Sequence, residues 1–292
     1  MSEVHNRLSY SQIDTFEQCP KKWTFQYIDK IDFDDKNIHL DYGSAVHKGL
    51  ENAFLELKTD KKLNEEDLLQ TVSKLSSDYE WGDKDKELFH YAMNDMNRLI
   101  AYEGFYERVK DKDIVGVEDE FNLKIPTMLF GESTDITIKG YIDLIYRDDD
   151  GKLVVVDHKT SNKKFDKNKR RSNLQIPIYF MAIKDKYGEY PKSGIYNFTK
   201  LNDCQESLFT DKVTDEQNEA MDKRSPKEIW AKDPESTRKE IIQTFKDMNN
   251  IKKREEAKPS PLCFWCKFKT ICPNASNWKP KDKKWCQRVL RG

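Results

Sequence analysis

The sequence predicts an α/β fold: a core of strands and helices with helical additions at both ends. Three observations predict it. Apolar residues recur at helical spacing over 9–28 and 43–58. Three β-like runs then follow one another, at 115–125, 135–146 and 152–158. Helical spacing returns at 172–187, followed by strand-like runs at 193–199 and 206–209. Helices, then a β-meander, then helix and strands is an α/β order.

The elements can be justified in turn. In the first helix Ile13, Phe16 and Cys19 follow the helical repeat. Ser9 or Ser11 supplies its cap, and Pro20 interrupts or kinks it. A polar loop, 29–41, precedes the second helix, 43–58, whose apolar stripe is Val46, Leu50, Phe54 and Leu57. His47 and Glu51 lie one turn apart beside that stripe. Two charged, proline-free stretches at 64–79 and 84–110 read as a helical insertion over 60–110. The second and third β-like runs are separated by Asp-Asp-Asp-Gly, a turn signal. Val154, Val155 and Val156 are contiguous, as in a strand buried on both faces. Pro177 falls in the first turn of the helix at 172–187 or kinks it. A last long helix is expected over 236–256. The Cys-rich tail, 257–292, has no clear period and needs a staple to be ordered. No internal repeat divides the chain, so 1–292 reads as one domain.

Composition limits the function. The 292 residues carry 51 basic and 52 acidic side chains, a net charge of −1, which excludes a globally basic nucleic-acid binder. Local basic clusters remain: 163–171 and 279–291 each hold six basic residues and one acid. Such clusters neutralise phosphates or form a solvated face. The longest aliphatic run, 153–156, is far short of the roughly 20 apolar residues of a membrane helix. The opening MSEVHNRLSYSQ has no apolar signal region, so a cytoplasmic chain is expected. Six cysteines in such a chain suggest metal or cluster ligation before disulfides.

The segment 140–160 carries the most chemistry. Asp143 lies on one strand; Asp157 and Lys159 lie two apart on the next, so they share a face. A tight hairpin sets Asp143 close to Asp157. Two carboxylates with an ammonium suit a hard divalent cation, Mg²⁺ or Mn²⁺, working on a phosphate. Lys159 can orient a water or stabilise developing charge. Glu51 and Glu118 read as acids on solvated faces.

These residues resemble the PD-(D/E)XK nuclease superfamily. Asp157-x-Lys159 after an apolar strand, with Gly140-x-x-Asp143-x-Ile145 before it, is similar to the superfamily's core motif. Gly43-x-x-x-His47, Gln175-x-x-x-Tyr179, the opening LSYSQIDTFEQCPKKW and Cys263-x2-Cys266-x5-Cys272-Pro273 resemble further motifs of its RecB-like branch, including members with an iron–sulfur site. Asp143 follows Ile142 rather than the proline of the superfamily's name. The resemblance spans residues 8–273. It implies a restriction-endonuclease-like core, a mixed central sheet flanked by helices. His47, Asp143, Asp157 and the carbonyl of His158 would hold the metal, with Lys159 catalytic. Gln175 and Tyr179 would position the DNA backbone or the active-site groups.

Four thiolates can hold zinc or a [4Fe–4S] cluster, and spacing does not choose between them. The resemblance implies iron–sulfur on Cys19, Cys263, Cys266 and Cys272, joining the N-terminal helix to the C-terminal tail. Cys204 and Cys286 read as free. Lys163, Lys164, Lys169, Arg170 and Arg171 follow the lysine strand and are placed to guide a DNA strand. Trp81, Phe165 and Trp285 read as packing residues first and base-stacking residues second. The expected function is a metal-dependent DNA exonuclease on single-stranded ends, in recombination, repair or phage DNA metabolism, with recombination or replication proteins as partners and no membrane. A CRISPR-adaptation-type nuclease and a non-catalytic DNA-binding subunit are the alternatives.

Overall fold

The computed structural model describes residues 6–32, 38–60, 105–223 and 228–275. The chain divides into two compact units, each drawn from separated segments. The smaller takes Met1–Lys36, Pro126–Ile136 and Glu240–Gly292; the larger takes Asn37–Ile125 and Thr137–Lys239. Most of the expected insertion at 60–110, the basic cluster at 279–291, Trp81, Trp285 and Cys286 lie outside the described residues.

The smaller unit opens with β1 (Arg7–Leu8) and α1 (Tyr10–Gln18). Ser9 caps α1, its hydroxyl accepting from the N–H of Gln12. The helix stops at Cys19 because the residue before a proline is held extended; here φ is −164°. Pro20 then starts α2 (Pro20–Trp23), and one π-helical turn, Thr24–Ile28, follows. The expected interruption therefore falls one residue before the proline.

In the larger unit α3 (Ile38–Asp60) begins five residues earlier than its spacing predicts. Its stripe Val46, Leu50, Phe54 and Leu57 is buried as expected. A short helix, α4 (Phe105–Val109), is the described end of the expected insertion. Two long strands follow, β2 (Asp113–Leu129) and β3 (Glu132–Arg147). The turn joining them has positive φ at both Phe130 and Gly131, as in a two-residue type I′ hairpin. Burial along β2 falls on Ile114 and Gly116, then on Phe121, Leu123 and Ile125. That switch from even to odd positions needs one extra residue in the strand, and Glu118, at φ +44°, sits within it.

The Asp-Asp-Asp-Gly turn forms as predicted. Asp148 Oδ1 accepts from the N–H groups of Asp150 and Lys152. It leads into β4 (Leu153–Lys159), antiparallel to β3 with Leu144 opposite Val156. The chain then crosses through α5 (Lys167–Ser172) and α6 (Gln175–Tyr187) to β5 (Ser193–Phe198), which runs parallel to β4. β6 (Asp203–Leu208) closes this edge antiparallel to β5. The sheet is therefore mixed.

Helices cover both faces of the sheet. On one, Val46, Leu50 and Phe54 of α3 form a core with Leu144, Val154, Val156 and Ile195. On the other, α6 meets β5 at Gly194, where a Cβ would lie 2.3 Å from Ile176 Cγ2; only glycine allows that approach. Pro177 sits in the first turn of α6, as predicted, but the helix starts at Gln175 because Asn173 is extended. A capped helix, α7 (Asp215–Asp222), comes next.

The long helix expected over 236–256 is broken. α8 (Pro234–Met248) ends, and Asn250 turns extended and caps α9 (Ile251–Arg254) with its side-chain oxygen. Within the smaller unit the C-terminal segment then meets the N-terminal helices. Thr24 Oγ1 donates to the carbonyl of Arg254 at 2.9 Å, and Lys258 Nζ to that of Glu17 at 2.8 Å. The rings of Phe25 and Phe268 lie 5.3 Å apart. No described helix is long and apolar enough to cross a membrane.

Candidate functional site

The β3–β4 register continues by one step to set Asp143 opposite Asp157. Both acids reach one end of a strand whose residues 153–158 are all buried. Asp143 Oδ2 accepts the main-chain N–H of His158 at 2.6 Å and lies 3.5 Å from His47 Nδ1 on α3. The bulge in β2 brings in a third group. Ligand atoms of His47, Glu118 and Asp143 all lie within 4.8 Å of one another. Glu118 thus belongs to the site rather than to a solvated face. The switch in alternation around it was the signal that could have placed it there.

Electrostatics suit a cation at that point. Burial, then the charge of Asp157, holds the Asp143 carboxyl well above its usual range. Burial, then the neighbouring Glu51, raises Glu118. Burial lowers His47, which leaves its ring neutral near pH 7. The main-chain carbonyl of His158 faces the His47 ring closely enough to hydrogen-bond it. One imidazole nitrogen with two carboxylates and an adjacent carbonyl is a donor set that Mg²⁺ or Mn²⁺ fits.

Asp157 and Lys159 project together, as their spacing requires. Lys159 Nζ lies 2.6 Å from Asp157 Oδ2 and donates to Gln175 Oε1 at 2.8 Å. Gln175 Nε2 donates to Asp157 Oδ1, which also accepts from the Tyr179 hydroxyl at 3.2 Å. Gln175 and Tyr179, one turn apart on α6, therefore act on the same carboxylate. Burial, then Asp157, pushes the Tyr179 phenol far up, so it keeps the proton it donates. An ammonium has three donors. Two are used here, and the side chain remains partly exposed. The structure thus joins His47 and Asp143 with Glu118. Both oxygens of Asp157 are held by Lys159, Gln175 and Tyr179.

The His158 side chain was not assigned a place by sequence. It lies on the other face of β4, in one rung with Asn197 of β5 and Cys204 of β6. Cys204 Sγ lies 3.7 Å from Asn197 Oδ1, and Asn197 Nδ2 donates to His158 Nδ1 at 2.9 Å. The His158 ring stacks on Phe54 with centroids 5.7 Å apart and an interplanar angle of 5°, with Phe105 edge-on. Burial holds it well below its ordinary pKa and therefore neutral. Cys204 is free, as expected, and burial raises its thiol to about 11.

The basic segment is largely engaged with the protein. Lys164 pairs with Asp203, Arg170 donates to the carbonyl of Glu206, and Arg171 donates to Asp222 and Asn218. These contacts anchor α5. Lys163 is exposed, Lys169 is partly buried, and Phe165 packs on Tyr196 and Phe198.

In the smaller unit Cys19, Cys263, Cys266 and Cys272 line one cavity of about 150 Å³. None is in a disulfide. Burial raises the Cys266 thiol; Lys22 opposes that rise, and Cys19 and Cys263 are close enough to add to it.

The chain was compared with known proteins on this basis. The family model of the PD-(D/E)XK nuclease superfamily matches residues 7–273. A curated relative, the B-type component of an ATP-dependent helicase/deoxyribonuclease of Clostridium perfringens (strain SM101 / Type A), is 25% identical over 196 residues. That alignment covers 59% of this chain and 17% of the relative, so the chain corresponds to a small part of it. The crystal structure of SSO0001 aligns over 94% of this chain and 89% of its own at 14% identity and a TM-score of 0.34. The family match runs over nearly the whole length and includes every residue of the site, and the chain belongs to the PD-(D/E)XK nuclease superfamily.

Proposed function

We propose that this chain is a metal-dependent DNA exonuclease that hydrolyses phosphodiester bonds at single-stranded ends. The observation that carries the reading is the convergence of His47, Glu118 and Asp143 beside the Asp157–Lys159 pair. His47, Glu118, Asp143 and the carbonyl of His158 would hold Mg²⁺ or Mn²⁺. Such an ion supplies charge stabilisation at phosphorus and a more acidic water. Lys159 keeps one N–H for a phosphate oxygen or the attacking water. Asp157 and Gln175 fix its ammonium, and Tyr179 fixes the far oxygen of Asp157. Lys163, exposed just beyond the lysine strand, meets the DNA backbone.

The second part of the reading is a [4Fe–4S] cluster on Cys19, Cys263, Cys266 and Cys272. Its support is the shared cavity and four thiols without disulfides; zinc is the alternative ion for the same ligands. The helicase/deoxyribonuclease relative supports work in recombination or repair alongside a DNA-unwinding partner, in a bacterial cytoplasm or a phage-infected one.

The test is digestion of end-labelled linear and circular single-stranded DNA with Mg²⁺ or Mn²⁺, comparing the unmodified chain with Lys159→Ala. Linear DNA degraded, circles intact and a dead variant support the reading. Cleaved circles make the enzyme an endonuclease. No cleavage by protein with its iron bound overturns the enzyme assignment.

A further inference from the structure

The β2–β3 turn presents an aromatic residue where hairpin chemistry asks for something else. Both turn positions have positive φ, a geometry that favours Asn-Gly or Asp-Gly. Here the first is Phe130 at φ +53°, a region that bulky side chains rarely enter. The ring is not held there by burial, since Phe130 is 74% exposed. A bulky residue kept in an unfavourable backbone and shown to solvent points to use.

The surroundings say what kind of use. Within the smaller unit, Phe130 and Met128 line an open groove of about 820 Å³ with Lys246 and Asn249 at the end of α8 and Asn250, Ile251 and Lys252 at the helix break. Met128 is 52% exposed and Ile251 62%. Neither Lys246 nor Lys252 has an acidic partner among the described residues, while the neighbouring Lys253 is paired with Glu256. The groove's one acid, Asp247, accepts from Gln243. A flat aromatic, two aliphatic side chains and two free ammonium groups complement bases and phosphates of an unpaired strand.

We infer that this groove is a docking site for single-stranded DNA, with a base stacked on Phe130 and phosphates met by Lys246 and Lys252. The inference rests on the nuclease reading, because it supplies that enzyme with a hold on its strand outside the reacting centre.

The test measures binding in a full-length Lys159→Ala background, so that the probe is not cut. The probes are fluorescein-labelled oligo(dT) and an abasic oligomer of the same length, followed by fluorescence anisotropy. Phe130→Ala is expected to weaken oligo(dT) binding by about fivefold or more, the effect of losing one stacked base. It should leave the abasic oligomer unaffected, and Phe130→Tyr should retain affinity. Lys246→Gln with Lys252→Gln should flatten the plot of log affinity against log salt by about 1.4, two single-strand phosphate contacts. Unchanged oligo(dT) affinity in Phe130→Ala, or an equal loss on the abasic probe, overturns the inference and leaves the groove to a protein partner. The nuclease reading is checked separately, by hydrolysis of bis(p-nitrophenyl) phosphate by the unmodified chain with Mn²⁺. That substrate is too small to need the groove.

Discussion

The catalytic centre and the cysteine cavity are built in opposite ways. In the centre, Asp143, Asp157, Lys159, Gln175 and Tyr179 are each fixed by a hydrogen bond or ion pair to another part of the chain. They stand on buried strands or on a helix packed against them. In the cavity, Cys19 is a helix cap, Cys263 sits in a 3₁₀ turn (Pro261–Phe264), and Cys266 and Cys272 are on turns. Leu262, Phe264 and Trp265 beside them are exposed. Sheet register alone can preorganise a site. Short turns cannot, and a region built from them gains most from a cross-link over a long loop.

That contrast makes the cysteine region the place of largest effect. Cys266→Ala is expected to remove bound iron and to lower the stability of the smaller unit by several kcal/mol, because ligation there is folding energy. Iron analysis and a thermal melt check it, and unchanged iron would move the cluster away from this cavity. Mn²⁺ binding at the centre should be unaffected if the two regions are independent. Lys159→Ala should slow cleavage about 100–1,000-fold without unfolding, since its work is on developing charge. End-labelled DNA and circular dichroism separate the two readouts.

Glu118→Gln sharpens the ligand set. Mn²⁺ affinity by calorimetry should fall about 10–100-fold, the scale seen when support of a metal site is lost. Glu51→Gln should leave it unchanged, and equal effects would return Glu118 to the surface. Asn197→Leu removes the donor to His158 and the acceptor of Cys204, at a cost of about 1–3 kcal/mol in a urea melt. Tyr179→Phe should be the mildest, about 1 kcal/mol, with cleavage slowed less than in Lys159→Ala.

The parts of the site that sequence shows are those governed by local repeats. Strand alternation puts Asp157 with Lys159, a tight turn puts Asp143 opposite Asp157, and helical spacing puts Gln175 with Tyr179. Glu118 escapes because Glu118-Asp119-Glu120 reads as a solvated run, and only the shift from Ile114 and Gly116 to Phe121 and Leu123 betrays a bulge. The rung of His158, Asn197 and Cys204 escapes for another reason. It depends on the register between strands separated by a crossover, which no local pattern encodes. The broken helix near Asn249 and Asn250 has no proline to announce it; the paired asparagines were the signal. The basic run 163–171 was read by charge alone, whereas its partners Asp203, Asp222 and Glu206 lie far along the chain.

The rung across β4, β5 and β6 also bears on how the protein is born. His158 is anchored by Asn197 and, through it, by Cys204, so the segment carrying Asp157 and Lys159 is not fully clamped until translation has passed those positions. Parallel pairing across a crossover is slow to form. Cys19 and Cys272 are 253 positions apart, so the cavity closes only when nearly the whole chain has emerged. A ribosome-bound fragment ending before β5 would carry Asp143, Asp157 and Lys159 without the clamp behind them. The order of synthesis thus withholds a finished centre from a half-made chain.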